Sequence, residues 1–244
     1  MANRIIIVGA SSGLGRQFAL DYADRGWTVG ICARREELLK AIAAERPGRI
    51  CYAPMDVAAP DAEAVLAGLI EAVGGMDLLL YCAGTGFRDP DLDAARLDRT
   101  LKTNVDGFAR IISAAYRYFR SRNAQGQIAA ITSIAATKGI GVSAAYSASK
   151  RFEQTFLESI AQLARMQKVR VAVTDIRPGF IRTDLLDDSR SYPMLMRVPA
   201  VARKIERAID RRRATIVIDW RWRIVTALWR LIPRQLWVRL KIDF

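Results

Sequence analysis

The sequence predicts a doubly wound α/β fold: one parallel sheet of seven strands with helices on both faces. Three observations carry this. Short, nearly continuous apolar runs recur along the chain, amphipathic stretches separate them, and a glycine-rich turn joins the first run to the first of those stretches. The 244 residues are enough to bury a full core in one domain, and an apolar fraction of 51% argues against disorder.

In order, Arg4 to Gly9 reads as a buried strand and Leu14 to Arg25 as a helix that stops before Gly26. Thr28 to Ala33 is the second strand, followed by a helix from Glu36 to Glu45 ended by Pro47-Gly48. Ile50 to Met55 is the third strand and Asp61 to Val73 an alanine-rich helix. Asp77 to Cys82 makes the fourth strand, and helical sequence from Leu92 to Arg122 is interrupted near Asn104 and Gly107. Gln127 to Thr132, a long helix from Ala145 to Gln167 and Val169 to Ile176 follow. Val198 to Arg213 is helical, with Pro199 suited to its first turn, and Thr215 to Asp219 is the seventh strand. Leu185 to Arg197 and the tail after Trp220 fall outside the alternation.

Composition narrows the chemistry. With no histidine in the chain, a Ser-His or Cys-His triad is excluded and a zinc enzyme disfavoured; no metal site is expected. Cys32, Cys51 and Cys82 all fall in strand-like runs, which suits a reducing compartment. The run from Ile5 to Val8 is too short for a signal-peptide core, so a cytoplasmic protein is expected. A formal net charge of +13 points to an anionic partner.

The turn Gly9-Ala-Ser11-Ser12-Gly13-Leu14-Gly15 lies at the first strand-helix junction. Glycines there let the backbone approach a diphosphate, and the helix N-terminus offers it unpaired N–H groups. A purely structural turn would look similar, but the position in a parallel sheet favours a nucleotide. An NAD site places a carboxylate at the end of the second strand to hold a ribose hydroxyl. Here that strand ends in Arg34 and Arg35, whose guanidiniums suit a 2′-phosphate. NADP(H) is the cofactor expected.

Tyr146 and Lys150 are four residues apart, so on a helix they share one face one turn apart. A tyrosine ordinarily ionises near pH 10, and a neighbouring ammonium favours its phenolate, which makes the pair a candidate proton-transfer device. Spacing alone leaves a solvated surface pair open.

Together these features resemble the short-chain dehydrogenase/reductase family, over Arg4 to about Asp219. The glycine turn matches its nucleotide turn, and Asp56, followed by Val57, matches the acid that meets the adenine ring. Cys82-Ala83-Gly84 matches the end of its Asn-Asn-Ala-Gly motif, with Tyr81 and Cys82 in place of the asparagines. Asn104 matches the helix-interrupting asparagine, and Ser133 stands thirteen positions before Tyr146. Pro178-Gly179, Ile181 and Thr183 fall where the family meets the nicotinamide end.

The resemblance implies a Rossmann-type sheet with catalytic Asn104, Ser133, Tyr146 and Lys150. Ser133 would bind the substrate carbonyl and Tyr146 would protonate the developing alkoxide. Lys150 would hold the ribose and favour the phenolate, and Asn104 would anchor a water that leads to solvent. It also implies a homo-oligomer, dimer or tetramer.

A lid is expected over about 185–200, where Leu185, Leu186, Tyr192, Met194, Leu195 and Met196 accompany Asp187, Asp188 and Arg190. Its apolar content suggests a bulky hydrophobic substrate; an ordinary loop docked on the core is the alternative. The chain therefore divides into a reductase domain over 1–219 and a basic amphipathic segment over 220–244.

From Arg203 onward the chain carries eight surplus positive charges and four of its five tryptophans. Helical spacing puts Arg223, Arg230, Arg234 and Lys241 on one face and Val225, Leu228, Trp229, Ile232, Leu236 and Leu240 on the other, with a kink before Pro233. Such a segment suits a membrane surface, or packs on protein. No nucleic-acid motif is present, and large aliphatics interleave the basic residues, so nucleic acid is not the expected partner. The function expected is an NADPH-dependent reductase, reversible as an alcohol dehydrogenase, acting on a hydrophobic, lipid-like carbonyl. A catalytically silent NADP-binding sensor or scaffold is the alternative.

Overall fold

The computed structural model describes residues 3–186 and 190–243; Asp187 and Asp188 of the expected lid lie outside them. Seven strands form one sheet in the order β3-β2-β1-β4-β5-β6-β7. They are β1 Arg4–Val8, β2 Thr28–Ala33, β3 Ile50–Pro54, β4 Leu78–Tyr81, β5 Gly126–Ile131, β6 Val171–Pro178 and β7 Thr215–Ile218. Every neighbouring pair is parallel, so the expected doubly wound architecture is observed.

Strand alternation sends side chains to opposite faces. Ile5, Ile7, Leu78 and Leu80 join a core with α1 (Gly13–Asp24), α2 (Glu36–Glu45) and α7 (Val198–Asp210). Ile6, Val8, Leu79 and Tyr81 join a second core under α3 (Ala62–Ala72), α5 (Phe108–Ser121) and α6 (Ala144–Met166). Each fully buried aliphatic there contributes about 1.5–3 kcal/mol relative to exposure. Strand order reverses between β1 and β4, which opens a crevice at the C-terminal strand ends.

Two boundaries differ from expectation for local reasons. β6 starts at Val171 because Val169 closes the preceding helix, its N–H donating to Ala164 O (2.9 Å). It runs on to Pro178, paired with Ile218 of β7. Helix α7 stops at Asp210 because Arg212 takes φ +49° and turns the chain, with Arg213 N bonded back to Ala208 O (3.0 Å).

The interruption expected near Asn104 is a π-helical turn, Lys102–Gly107, set between α4 (Ala94–Leu101) and α5. Such turns carry one extra backbone step and re-aim side chains.

The tail folds back on the domain as α8 (Trp220–Leu231) and α9 (Arg234–Trp237), with the bend at Ile232-Pro233. Its docked face differs from the one helical spacing suggested. Trp222 and Thr226 are buried in α8 and Trp237 in α9, whereas Leu228, Leu236 and Leu240 are exposed. The reason is a slot. A Cβ on Gly179 would collide with the Trp222 indole, so the bare backbone there admits the ring. Phe180, Trp222, Trp229 and Trp237 then follow one another edge to face at 5.6, 6.2 and 5.4 Å.

Candidate active site

The glycine turn closes on itself. Gly9 takes φ +87°, and a Cβ there would collide with the Ala83 backbone; one on Gly15 would collide with Gly9 O. The N-terminus of α1 thus packs hard against the end of β1, with its first N–H groups facing the crevice. Ser12 is the N-cap residue, and its side chain makes no cap bond. Arg35 reaches across this turn, donating to Ser11 Oγ (2.9 Å) and Ser12 Oγ (2.9 Å). Arg34 is exposed beside it.

One cavity of about 660 Å³ extends from this turn along the ends of the strands. All the expected cofactor residues line it: Gly9, Ser11, Ser12, Gly13, Leu14, Gly15, Arg34, Arg35, Asp56, Val57, Cys82, Ala83, Gly84, Tyr146, Lys150, Pro178, Gly179, Ile181 and Thr183. Ser133 lines it too, and Asn104 is the one expected site residue that does not. Asp56 is turned into its own loop as well, accepting from Ala58 N (3.0 Å).

Asn104 is fully buried behind the wall. Its Oδ1 accepts from Thr85 N (2.9 Å), and its Nδ2 donates to Thr85 O (2.7 Å) and Ser149 Oγ (3.0 Å). Both side-chain donors are spent on tying the loop after β4 to α6.

Ser133 ends the strand region at the start of a 3₁₀ turn, Ile134–Thr137. Its Oγ accepts from Ala135 N (3.1 Å), which leaves the hydroxyl proton available to a ligand. Gln154 of α6 fixes the same stretch by donating to Ser133 O (2.8 Å) and Thr132 Oγ1 (3.2 Å). Thr132 Oγ1 donates in turn to Asp175 Oδ1 (2.6 Å), and Asp175 is held by Arg177. Tyr146 is half-buried, its ring against Gly86, where any side chain would collide with it.

Lys150 is 4% exposed and its Nζ lies 5.8 Å from the Tyr146 ring centroid. Nζ donates to both carboxylate oxygens of Glu153 at 2.9 Å and, more loosely, to Ile131 O at 3.3 Å. Burial works to lower the ammonium's pKa, but the charges of Glu153 and Tyr146 outweigh it and the net direction is up. Glu153 is wholly buried, and burial pushes its carboxyl up to about 7 against the pull of Lys150. Burial likewise raises the Cys82 thiol, so this cysteine is not an activated nucleophile.

At the far end the cavity is lined by Phe87, Ile134, Ile140, Phe180, Leu185, Leu186, Tyr192 and Trp229. The tail is fastened over this end. Trp237 Nε1 donates to Gly139 O (2.7 Å), Lys138 Nζ donates to Ile232 O (2.8 Å), and Asp243 pairs with Arg88 and Arg190.

The family model for short chain dehydrogenases matches residues 3–193. The chain belongs to the short-chain dehydrogenase family. An oxidoreductase of Myxococcus xanthus without an assigned reaction is 32% identical to this short-chain dehydrogenase, over 95% of this chain and 93% of that one. The farnesol dehydrogenase of Aedes aegypti is 32% identical, over 75% of this chain and 79% of that one. Among solved structures, ElxO with NADP bound superposes with a TM-score of 0.78 at 21% identity, over 90% of this chain and 98% of ElxO. This short-chain dehydrogenase is thus an oxidoreductase by family.

Two features of the site escape motif reading. Glu153 carried a local signal, an acid three positions after Lys150 on the same helix. Trp229 carried none, since its place depends on the slot at Gly179.

Proposed function

We propose that the protein is an NADPH-dependent reductase, reversible as an alcohol dehydrogenase, that transfers hydride to the carbonyl of a bulky hydrophobic substrate. The observation that carries this is the continuity of the cavity. It begins at the glycine turn beside two guanidiniums, passes Ser133, Tyr146 and Lys150, and ends among aromatic and aliphatic side chains.

The residues fit a nicotinamide dinucleotide. The bare turn at Gly9 and Gly15 and the open α1 N-terminus suit a diphosphate. Arg34 and Arg35, with no carboxylate at the end of β2, suit a 2′-phosphate. The NADP in ElxO is consistent with this choice. When bound, the reduced cofactor supplies the hydride. Ser133 Oγ–H holds the substrate carbonyl oxygen, and the Tyr146 hydroxyl gives that oxygen its proton as charge develops there. Lys150 holds ribose hydroxyls and stabilises the phenolate that Tyr146 leaves behind. The aromatic far wall excludes water and binds the apolar body of the substrate, in keeping with a relative named for farnesol.

The deciding experiment is a binding titration with NADPH and NADH by fluorescence. The wild type is expected to prefer NADPH. Arg34→Ala with Arg35→Ala should weaken NADPH roughly tenfold to a hundredfold, the worth of one or two charge-assisted hydrogen bonds, and leave NADH nearly unchanged. Equal losses for both refute the NADP assignment. Tight NADPH binding with no reduction of dodecanal by NADPH and no oxidation of farnesol by NADP+ points to a silent sensor instead.

The same reading places the enzyme in the cytoplasm, as a homo-oligomer, with the outer tail on an anionic membrane surface. Trp220, Ile224, Leu228 and Leu231 form one exposed stripe along α8, between 52% and 78% accessible. Arg221, Arg223, Arg230, Arg234, Arg239 and Lys241 surround it. No helix among the described residues is long and apolar enough to cross a membrane, so the contact is interfacial. Vesicles containing phosphatidylglycerol should pellet the wild type but not Leu228→Glu with Leu231→Glu; equal pelleting ends this part of the proposal.

A further inference from the structure

Glu153 has no part in the mechanism above, yet it is the group most tightly bound to Lys150. A lysine ammonium has three N–H donors. Two acceptors at 2.9 Å come from one carboxylate and the third, Ile131 O, lies at 3.3 Å. The carboxylate sits on the next turn of α6, behind the ammonium and away from the cavity, which Glu153 does not line. The loosest donor is therefore the one free to turn toward a ligand.

Electrostatics makes the arrangement consequential. An unpaired ammonium this buried loses its proton or costs several kcal/mol. The other ionisable groups facing the pair do not replace Glu153. Tyr146 approaches the ammonium with its ring, whose centroid lies 5.8 Å from Nζ. On β6, Asp175 is already engaged by Arg177 and Thr132. At the end of β4 and just after it, the Tyr81 phenol and the Cys82 thiol are both held neutral by burial. Glu153 alone balances Lys150 at hydrogen-bond distance among the described residues.

We infer that Glu153 is a positioning residue of the reaction centre: its buried carboxylate clamps the Lys150 ammonium from behind, keeps it charged, and reserves one N–H for the ribose of the bound cofactor. This rests on the reductase reading. It adds that the lysine's charge is maintained by a dedicated internal counterion as well as by the cofactor.

The test is the NADPH dissociation constant of the full-length protein from pH 8 to 9.5, above the range in which the 2′-phosphate and the Glu153 carboxyl titrate. The wild type is expected to bind with nearly constant affinity. Glu153→Gln keeps the side-chain shape but removes the charge, so Lys150 loses its proton within this range. Binding should then weaken about tenfold across it, corresponding to roughly one pK unit of displaced titration. The alkaline limb of kcat for dodecanal reduction should move to lower pH by a similar step. Glu153→Asp, which keeps the charge, should restore a flat profile.

In the Lys150→Met background, Glu153→Gln should add no pH dependence, because the carboxylate acts through the lysine. A folded Glu153→Gln protein with a wild-type profile overturns the inference. If wild-type protein binds no NADPH at all, the reductase reading fails instead. Should Glu153→Gln not fold, the Lys150 Nζ resonance of the wild type gives the answer: the inference requires an ammonium up to about pH 10, and a neutral amine by pH 9 overturns it.

Discussion

At the Gly9 end the cavity wall is mostly backbone: a glycine turn, the start of α1 and the strand ends of β1 and β4, all within the first 84 residues. At the Trp229 end the wall is side chain, contributed by a loop after β4, a 3₁₀ turn after β5, Leu185, Leu186 and Tyr192 from the stretch after β6, and a helix from the tail. A backbone wall is indifferent to most substitutions, and under the proposed function it would recognise what all dinucleotides share. A side-chain wall changes with each residue and is where members of one family come to differ. The two ends meet at Ser133, Tyr146 and Lys150, and they should be separable by experiment.

The largest effect is expected where they meet. Tyr146→Phe should lower kcat for dodecanal by about a thousandfold, in the range of a lost general acid, while NADPH affinity changes little. Retained turnover would show that the proton comes from elsewhere.

Next is the joint between the ends. Trp222→Ala empties the slot over Gly179 and should destabilise the fold by about 3–5 kcal/mol, seen as a lower denaturant midpoint. NADPH should still protect the remainder against unfolding. Loss of all cofactor binding in a folded variant would mean that the tail also shapes the first end.

The smallest and most selective effect belongs to Trp229→Ala. It should raise KM for dodecanal about tenfold, the worth of part of a buried indole, and leave propanal and NADPH unaffected. A parallel rise for propanal would deny the indole its place in an apolar wall.

These contrasts track what the sequence made legible. Gly9 and the Tyr146–Lys150 pair are marked by short-range chemistry, a turn and a one-turn spacing, so their positions could be read from neighbours in the chain, whereas Asn104 and Ser133 were singled out by the family resemblance. The sheet was legible for the same reason, since buried parallel strands are continuous apolar runs. The orientation of the tail was not. Periodicity identified α8 as amphipathic, but both of its faces carry large apolar residues, and the choice between Trp222 and Leu228 was made by a missing Cβ forty-three positions earlier. The boundary of β6 depended likewise on a hydrogen bond to the end of α6.

The slot at Gly179 also sets an order of events during synthesis. Seven strands, the glycine turn and Lys150 are all made before Trp222 and Trp229. Until residue 220 is made, the glycine-turn end of the cavity has every residue that lines it, but the slot stands open and the far end lacks Trp229. The nascent domain therefore shows solvent an apolar groove that its own later residues are shaped to fill. A chain truncated just short of residue 220 would keep all seven strands and the glycine turn while lacking the helix that closes the far end of the cavity.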